Sequence, residues 1–495
     1  MGTLFELEIT TAAKGSREIA GHLFRQLRSA ILDGRLLPGA RLPSTRASPA
    51  VFGASRNTVQ DVYDRLAQEG LVASRQGSGT YVSDARAKLG ASAPPQAAAV
   101  RGRMNPVWEQ SEIGSWIGFW QERRQPSVPT IADLRPALVD QRLFPHATFR
   151  QVMARGLRRL ETTPSASKSP QGNQGNGQLR RAIAEHVSLT RALGCGADDV
   201  LVTSGAQQGF DLLARILVTP GETIVAVEDP GYPPMCAPFV LAGARIVPVR
   251  VDAEGIVVDD IPADAKIICV CPSHQFPLGM PTSPGRRRAL LRFAERTGAV
   301  IVEDDYDGEF RHDGSPLEAL RSHASAGQVC YVGSFSKCMF PSLRLGFLVP
   351  PQWALPALVA AKNSTDWHCS IPVQAAVARF ILDGHLARHI RRVRRIYRDR
   401  RELLLDLLDQ RVGQHLAVVP SFYGMHIAAL ARKTIDCEAV SQALVRRGIL
   451  IHSLDRYFFG RPAQTGFVIA YAAADHHELT LAIDALAEEI PEREN

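Results

Sequence analysis

The chain has 495 residues, of which 45% are hydrophobic, so it is long enough for about two to four domains with sizeable cores. It has no charge-free apolar run of about 18 residues and no basic start followed by an apolar segment, which argues against a transmembrane helix and against secretion. A net charge of +7 permits a polyanionic partner, and eight cysteines without CxxC spacing indicate reduced thiols, no bound metal and a cytoplasmic location.

The N-terminal part is the most basic region at domain scale. Between Lys14 and Thr80 there are ten Lys or Arg and five Asp or Glu. A first helix is predicted there, because apolar residues recur every four positions before a stop at Asp33-Gly34. These apolar residues are Ile19, Leu23, Leu27 and Ile31.

The sequence next predicts two more helices and a β-hairpin. The second helix is predicted to begin near Ser44 or Thr45, with Arg46 at its exposed start. The third has Ser55 as its N-cap, which leaves Arg56 and Thr58 facing outward at its N-terminal end. Its buried stripe is Val59, Val62, Tyr63 and Leu66. Two short strands then flank a glycine-containing turn, LVASRQ and TYVS, which is typical of a wing.

Residues 14–84 resemble the winged helix-turn-helix of GntR-type regulators. The segments PGARLPSTR, SRNTVQDVYDRLAQEGLV and RQGSGTYV carry the resemblance. It implies contacts with double-stranded operator DNA from Arg46, Arg56, Thr58 and the wing near Gly77, with Arg41 and Arg75 as further candidates. Pro49 departs from the family pattern, since proline in a helix interior removes a hydrogen bond and shortens or kinks the helix.

Residues 85–130 are predicted to be a linker, rich at first in Ala, Pro and Gln. Residues 131–490 then alternate apolar β-type runs with helical stretches, which predicts an α/β fold with a mostly parallel sheet flanked by helices. The predicted strands are DDVLVTS, GETIVAVE, ARIVPVRV, AKIICVC, AVIVEDD and QVCYVGS.

One lysine in this domain has the surroundings of a Schiff-base site. Lys337 follows the apolar run of residues 329–332, so we expect it at a buried strand end, where an amine loses its proton more easily. Ser334, Ser336 and Arg344 offer hydroxyls and a planar fork to a phosphate. A lysine, a phosphate and an aldehyde together indicate pyridoxal 5′-phosphate (PLP).

The strongest support is the segment AVIVEDDYDGEFR. Strand alternation puts Asp304 and Tyr306 on one face, where a carboxylate can keep a pyridine ring protonated and a phenol can bind the cofactor's 3′-oxygen. Weaker candidates precede it along the chain. They are the strand-to-helix turn of Ser204, Gly205, Ala206 and Gln207, the possible stacking ring of Tyr232, and the loop residues His274 and Gln275.

These blocks, from SGAQQ to EDDY to SFSK to LRLGF, resemble fold-type I aminotransferases, and with the winged helix in front the chain resembles the MocR subfamily of GntR regulators. The resemblance implies a smaller C-terminal subdomain, a homodimer, and Lys337 as the lysine that bonds to PLP. It also implies Asp304 at the pyridine nitrogen, Tyr306 at the 3′-oxygen and Tyr232 on the ring. The phosphate would be held by Ser204 to Gln207, Ser334, Ser336 and Arg344.

Two further segments bear on ligands. In TGFVIAYAA, Phe467 stands about where relatives that recognise amino-acid carboxylates have an arginine, so the effector is expected to be another amine or PLP itself. The run from His389 to Arg401 is predicted to be a helix with Ile390, Val393 and Tyr397 inside. Its arginines form either a solvated face or an auxiliary surface for DNA or phosphate.

The sequence therefore predicts a cytoplasmic PLP-dependent transcription regulator that senses a small amine, or PLP, through imine exchange at Lys337. One alternative is an active aminotransferase with a vestigial DNA-binding domain, and another is a DNA-binding protein whose large domain is only a dimerisation scaffold. The effector, the operator and the sense of regulation do not follow from the sequence.

Overall fold

The computed structural model of the chain describes residues 19–47, 51–75, 78–84, 105–109, 128–162, 174–312, 317–324 and 327–490. The chain divides into two compact units, Met1–Met104 and Asn105–Asn495. The described residues of each unit enclose hydrophobic cores of their own. Among the helices in the described part, none combines the length and the apolarity needed to cross a membrane.

The first unit contains α1 (Ile19–Leu32) and α2 (Arg56–Gln68), which pack together. Ser55 caps α2 as predicted, because its hydroxyl accepts a hydrogen bond from the Thr58 amide. The predicted inner stripe of α2 is confirmed, since the buried residues are Val59, Val62, Tyr63 and Leu66.

The predicted wing is also present in this unit. Strands β1 (Val72–Arg75) and β2 (Gly79–Val82) form an antiparallel pair. Gly79 has φ +115°, and a Cβ there would lie 3.1 Å from Nε of Arg41, so the start of β2 favours glycine.

The predicted start of the second helix differs from the structure. Residues 45–47 form a turn in which the Ala47 amide donates to the Ser44 carbonyl over 2.9 Å. Helical backbone is found at residues 51 and 52. Pro49 and Gly77 lie outside the described residues, so the expectations placed on them stay predictions.

The second unit is built from strands and helices in alternation. Its strands are β3 (Ala132–Asp133), β4 (Leu201–Thr203), β5 (Ile224–Asp229), β6 (Arg245–Asp252), β7 (Gly255–Ile256), β8 (Ile267–Val270), β9 (Val300–Asp305), β10 (Val329–Ser334), β11 (Gly346–Val349), β12 (Leu416–Val418), β13 (His426–Ala431), β14 (Ile449–Leu450), β15 (His452–Ser453) and β16 (Gly466–Ala470). Its helices are α3 (His146–Thr162), α4 (Gly177–Arg191), α5 (Ala206–Leu217), α6 (Pro233–Leu241), α7 (Pro284–Thr297), α8 (Leu355–Thr365), α9 (Ile371–Leu382), α10 (His385–Val412), α11 (Cys437–Arg446) and α12 (His476–Glu489).

The large sheet has the strand order β4-β11-β10-β9-β8-β5-β6-β7. All six predicted strands belong to it, and β10, β9, β8, β5 and β6 run parallel. The sequence did not predict β11, which is antiparallel to both of its neighbours. Alternate strand residues pack against α5, α6 and α8 on one face and against α7 on the other, so the sheet is buried on both faces.

A smaller C-terminal part follows the long helix α10. Strands β12, β13, β16 and β15 form an antiparallel sheet, and α12 packs against α10. The predicted inner stripe of α10 is confirmed by the burial of Ile390, Val393 and Tyr397. Arg400 is an exception among its arginines, because it is buried and donates to Asp140 and to the Ala472 carbonyl, each over 2.7 Å.

Candidate functional site

A cavity of about 260 Å³ lies at the carboxyl ends of the parallel strands of the large sheet, the edge at which α/β folds collect ligands. Strand ends, the start of α5 and the loop after β10 supply most of its wall. The lining residues are Ala137, Leu138, Ala206, Gln207, Phe210, Tyr232, Phe276, Asp304, Tyr306, Ser334, Ser336, Lys337, Pro341 and Arg344.

Lys337 enters the cavity three residues beyond the end of β10. Its half-buried side chain donates from Nζ to the carbonyl oxygen of Ala137 over 2.5 Å. Ala137 adopts φ +72°, a left-handed conformation that is uncommon for a residue with a Cβ. Ala137 and Leu138 were not predicted as site residues, because they belong to a distant part of the chain, with Ala137 200 positions from Lys337.

Asp304 is the buried acid of the cavity. Its side chain lies on β9, and its Oδ1 atom is buried with no hydrogen-bond partner. Burial raises the pKa of Asp304 to about 8, and the neighbouring carboxylates of Asp305 and Asp307 add to that rise. A buried acceptor without a donor is costly, so this oxygen, which has no partner among the described residues, can take an N–H or O–H from a ligand.

A protonated pyridine nitrogen is the donor that fits Asp304. The ion pair would satisfy Oδ1 and would hold the carboxyl in its ionised form, which reverses the effect of burial on its pKa. Tyr306 lies two residues on and also lines the cavity, which agrees with the alternation expected from the sequence. Its role at the 3′-oxygen stays a prediction.

The start of α5 and the loop residues opposite it form an anion cradle. Ala206 and Gln207 lie in the first turn of α5, whose free amides favour a phosphate. Arg344 lies opposite, and its Nη2 donates to the Ser204 carbonyl over 3.1 Å. A Cβ on Gly205, which has φ +83°, would lie 3.1 Å from that guanidinium, so glycine keeps the cradle open.

Two serines complete the polar wall of this cradle. The Ser334 hydroxyl donates to Ser336 Oγ over 2.9 Å and accepts from the Ser336 amide over 3.1 Å. Helix amides, hydroxyls and a guanidinium together suit a phosphate monoester. The cradle and the orphaned Asp304 oxygen therefore fit the two polar ends of PLP, with Lys337 beside the same cavity.

Four predicted cofactor residues do not line the cavity. Ser204 and Gly205 lie behind the cradle, where Ser204 contributes its carbonyl to Arg344. Gln275 is fully buried, and its amide donates to the carbonyls of Pro230 and Phe276, each over 2.8 Å. His274 is buried as well and contacts Tyr306 instead of the cavity. Their loop turns these two side chains inward, away from the cavity wall, and a direct contact with the cofactor stays a prediction for His274 and Gln275.

The same loop contributes a wall residue that the sequence analysis missed. Phe276 packs edge-on against Tyr232, with 5.3 Å between the ring centroids. Both rings line the cavity and make one side of it aromatic. The position of Tyr232 agrees with a stacking role, which stays a prediction.

Phe467 does not face the cavity. Phe467 packs into the large core that contains Phe335 and Phe380. Its neighbour Val468 packs into the cluster that Tyr306 and Tyr232 border, because successive strand residues point to opposite faces. Val468, and not Phe467, is therefore the residue of β16 on the side of the cavity.

The candidate DNA-contacting residues lie in the first unit. Arg46 and Arg56 are exposed, and Thr58 is half-buried with its hydroxyl 2.8 Å from Ser55 Oγ. Arg56 is the first residue of α2, the end at which a recognition helix meets DNA. In the wing, the Arg75 guanidinium lies over the Tyr81 ring at 5.0 Å from its centroid.

Comparisons with known proteins cover both units. Residues 19–82 match the family of bacterial regulatory proteins called the gntR family, and residues 142–486 match aminotransferase class I and II. The chain is 33% identical to the probable rhizopine catabolism regulatory protein MocR of Rhizobium meliloti, over 94% of this chain and 92% of that one. It is 29% identical to the pyridoxine biosynthesis transcriptional regulator PdxR of Corynebacterium glutamicum, over 98% and 99%.

A solved structure supports the fold of the second unit. The α-aminoadipate aminotransferase LysN of Thermus thermophilus, complexed with N-(5′-phosphopyridoxyl)-L-leucine, is 26% identical with a TM-score of 0.66. The match covers 72% of this chain and 91% of LysN. The aminotransferase class I and II family is PLP-dependent, and the cavity residues fit that cofactor. The chain belongs to the aminotransferase class I and II family through its second unit and, over its full length, to the MocR-type, PLP-dependent transcription regulators of the GntR family.

Proposed function

We propose that this regulator acts in the cytoplasm as a homodimer that senses a small amine, or PLP itself, by exchanging the amine bonded to PLP at Lys337. Residues 14–84 would bind the operator, residues 85–130 would link the two domains, and residues 131–490 would bind PLP and sense the effector. The observation that carries the proposal is the placement of Lys337, Asp304 and the anion cradle around one cavity, in a chain that also has a winged helix.

PLP, when bound, supplies an aldehyde carbon that forms an exchangeable double bond with an amine. The chain's own residues bind and orient it. Asp304 would pair with the ring nitrogen, the cradle around Arg344 would hold the phosphate, and Tyr232 and Phe276 would exclude water from one side. If an amine took the place of Lys337, the lysine amino group would be released beside the Ala137 carbonyl, which would change the local hydrogen bonding.

The cavity wall bears on the chemical class of the effector. Among its described residues the cationic ones are Lys337 and Arg344, and PLP would engage both. Val468, on the side of the cavity, has no charge to offer a carboxylate. These features favour an amine whose recognition needs no carboxylate anchor, or PLP, and the name of PdxR as a pyridoxine biosynthesis regulator supports testing PLP first.

A working aminotransferase is the second candidate function. The observation that favours it is the joint presence of Asp304, Tyr306, Lys337 and Arg344 at one cavity, since these groups would also serve catalysis. It requires sustained turnover between an amino donor and a keto acid, whereas sensing requires a single exchange.

The proposal is tested on the purified full-length protein by visible absorption and by affinity for its own upstream DNA. Both are measured without additions, with PLP, and with a panel of amines. We expect a PLP band that Lys337→Ala abolishes, and an amine- or PLP-dependent change in DNA affinity that the variant lacks.

Three results would contradict the proposal. If PLP does not bind, the second unit is a scaffold. If steady transamination appears without any DNA response, the enzyme function replaces sensing. If the Lys337→Ala variant responds to the amine like the wild type, the effector acts elsewhere.

A further inference from the structure

A buried polar cluster lies directly behind Tyr306. It consists of His274, Asp307 and His426, which are 2%, 2% and 1% exposed. Nδ1 of His274 lies 2.9 Å from Oδ2 of Asp307 and 2.7 Å from the Tyr306 hydroxyl. The Tyr306 hydroxyl also lies 3.1 Å from the carbonyl oxygen of His274. The ring and the carbonyl of His274 therefore both contact the Tyr306 hydroxyl from the side away from the cavity.

The proton positions in the cluster follow from its contacts. Burial lowers the pKa of His274 to about 3, so the ring is neutral near pH 7. One proton must lie between Nδ1 and Oδ2, because two lone pairs would otherwise face each other at 2.9 Å. Burial raises the pKa of Asp307 well above its usual value, so the proton can lie on either atom. Nε2 of His274 is buried without a partner among the described residues, and the tautomer with the proton on Nδ1 leaves a lone pair there instead of an unpaired N–H, which is the rarer buried orphan.

This tautomer determines what the phenol can do. A protonated Nδ1 cannot accept from Tyr306, so its one N–H is shared between Asp307 Oδ2 at 2.9 Å and the phenol oxygen at 2.7 Å. The phenol proton is then donated to the His274 carbonyl over 3.1 Å, a long contact that a closer acceptor in the cavity can replace. Burial and the nearby Asp307 raise the pKa of Tyr306 well above its usual value, so the phenol stays a donor. Its available acceptors are the His274 carbonyl and a ligand in the cavity.

The cluster is enclosed by both parts of the second unit. His274 comes from the loop after β8 and Asp307 from the segment after β9, whereas His426 begins β13 of the C-terminal sheet. Gly424, with φ +82°, lies against the His274 ring so closely that a Cβ there would overlap it. His426 is anchored in turn, with Nε2 3.0 Å from the Pro277 carbonyl. The imidazole of His274 therefore has little freedom to move.

We propose that His274 and Asp307 are a positioning pair for Tyr306, which fixes the phenol and directs its proton to the 3′-oxygen of PLP. The role requires PLP in the cavity and no particular effector. The other titratable and charged groups that face this pair and the phenol are His426, Asp304, Asp305, Glu309, Lys337, Cys271 and Glu228.

A metal site is the competing use of the same cluster. His274, Asp307 and His426 offer one ligand atom each within 4.8 Å of one another. Nδ1 of His274 is already engaged by Asp307 and Tyr306, so a metal would have to break those contacts or use Nε2. The existing contacts favour the hydrogen-bonded pair.

The test is a pH titration of the visible band of the PLP-loaded full-length protein. A phenol that donates to the 3′-oxygen stabilises negative charge there and lowers the proton affinity of the neighbouring imine nitrogen. Tyr306→Phe should therefore raise the midpoint pH, and His274→Gln should raise it by about one unit, a tenfold change in proton affinity. His274→Asn should restore most of the wild-type midpoint, because its amide reaches the Nδ1 position.

A double variant distinguishes positioning of Tyr306 by His274 from a general structural effect of changing His274. In the Tyr306→Phe background, His274→Gln should add no further shift, since it acts through the phenol. His389→Gln is the matched control, because His389 is also buried but packs against Phe144 away from the cavity, and it should leave the midpoint unchanged. Thermal unfolding of each variant reports whether it is folded, and His274→Asn carries the test if His274→Gln does not fold.

Several outcomes would overturn the proposal. The proposal fails if the two shifts add in the double variant, if Asn and Gln at position 274 shift the midpoint equally, or if Tyr306→Phe has the wild-type midpoint. Where His274→Gln does not fold, the proposal fails if folded His274→Asn has a midpoint different from the wild type. A midpoint that moves with added Zn²⁺ in the wild type, and not in His274→Gln, would make the cluster a metal site.

Discussion

Asp304 shows how a single buried group can make the stability of the protein depend on its cofactor. Without PLP, burial raises the pKa of Asp304 to about 8. Between about pH 4 and pH 8 the folded chain then holds a proton that the unfolded chain has lost, so stability falls as pH rises through that window. Above pH 8 both states are ionised and the loss is complete.

The variant Asp304→Asn should remove this pH dependence. In PLP-free protein we expect it to be more stable than the wild type by several kcal/mol at pH 8, since each pKa unit between the folded and unfolded carboxyl corresponds to about 1.4 kcal/mol, and nearly equal to it at pH 4. Urea unfolding at a series of pH values measures the difference. With PLP bound the order should reverse, since only the carboxylate pairs with the pyridinium. A variant less stable than the wild type at pH 8 without PLP would contradict this account of the site.

At the scale of elements, different residues of α2 serve folding and the predicted DNA contact. Leu66 is fully buried in the small core of the first unit, and Arg56 is exposed at the start of the same helix. Leu66→Ala should destabilise that unit by about 2–5 kcal/mol through loss of packing and the cavity left behind. Arg56→Ala should leave stability unchanged and should weaken operator binding while reducing its salt dependence.

Circular dichroism and DNA affinity on the full chain distinguish the two variants, and the visible band of bound PLP is the internal control. Neither change should alter that band, because Leu66 and Arg56 belong to the first unit and the cavity to the second. Loss of the PLP band in Leu66→Ala would mean that the two units do not fold independently.

The elements also show what could be predicted from the sequence. Lys337 and Asp304 were predictable because each lies at or just after the end of an apolar strand whose type is evident locally. Arg344 was predictable by its chemistry, since a guanidinium seven positions after the lysine can bind a phosphate. Ala137 was not, since its carbonyl meets Lys337 across 200 positions and a backbone contact leaves no residue-type signal. The burial of Phe467 away from the cavity was not predictable locally, because a strand alternates faces and a shift of one position moves a side chain to the opposite core.

His274 and Gln275 lie in the predicted loop at a strand end, but their side chains do not line the cavity. A loop can turn a side chain to either side, and here Asp307 and the Pro230 carbonyl draw the two side chains inward.

At the scale of the whole molecule, a DNA-binding unit and a PLP-binding unit share one chain, and the proposed homodimer would present two recognition helices. Two linked heads bind a second half-site as an intramolecular event, so their affinity depends on half-site spacing as well as on base sequence. The spacing must also place both half-sites on the same face of the duplex.

The affinity of the protein for its operator should therefore depend on the helical phase between the two half-sites. After the protected region upstream of its gene has been located by footprinting, inserting about five base pairs between the half-sites turns one of them by half a helical turn. Affinity measured by fluorescence anisotropy should then fall to that of a single half-site, and an insertion of about ten base pairs should restore part of it. An operator with one half-site provides the reference. Equal affinity for all spacings would show that one head binds alone, and the homodimer would then have no part in operator recognition.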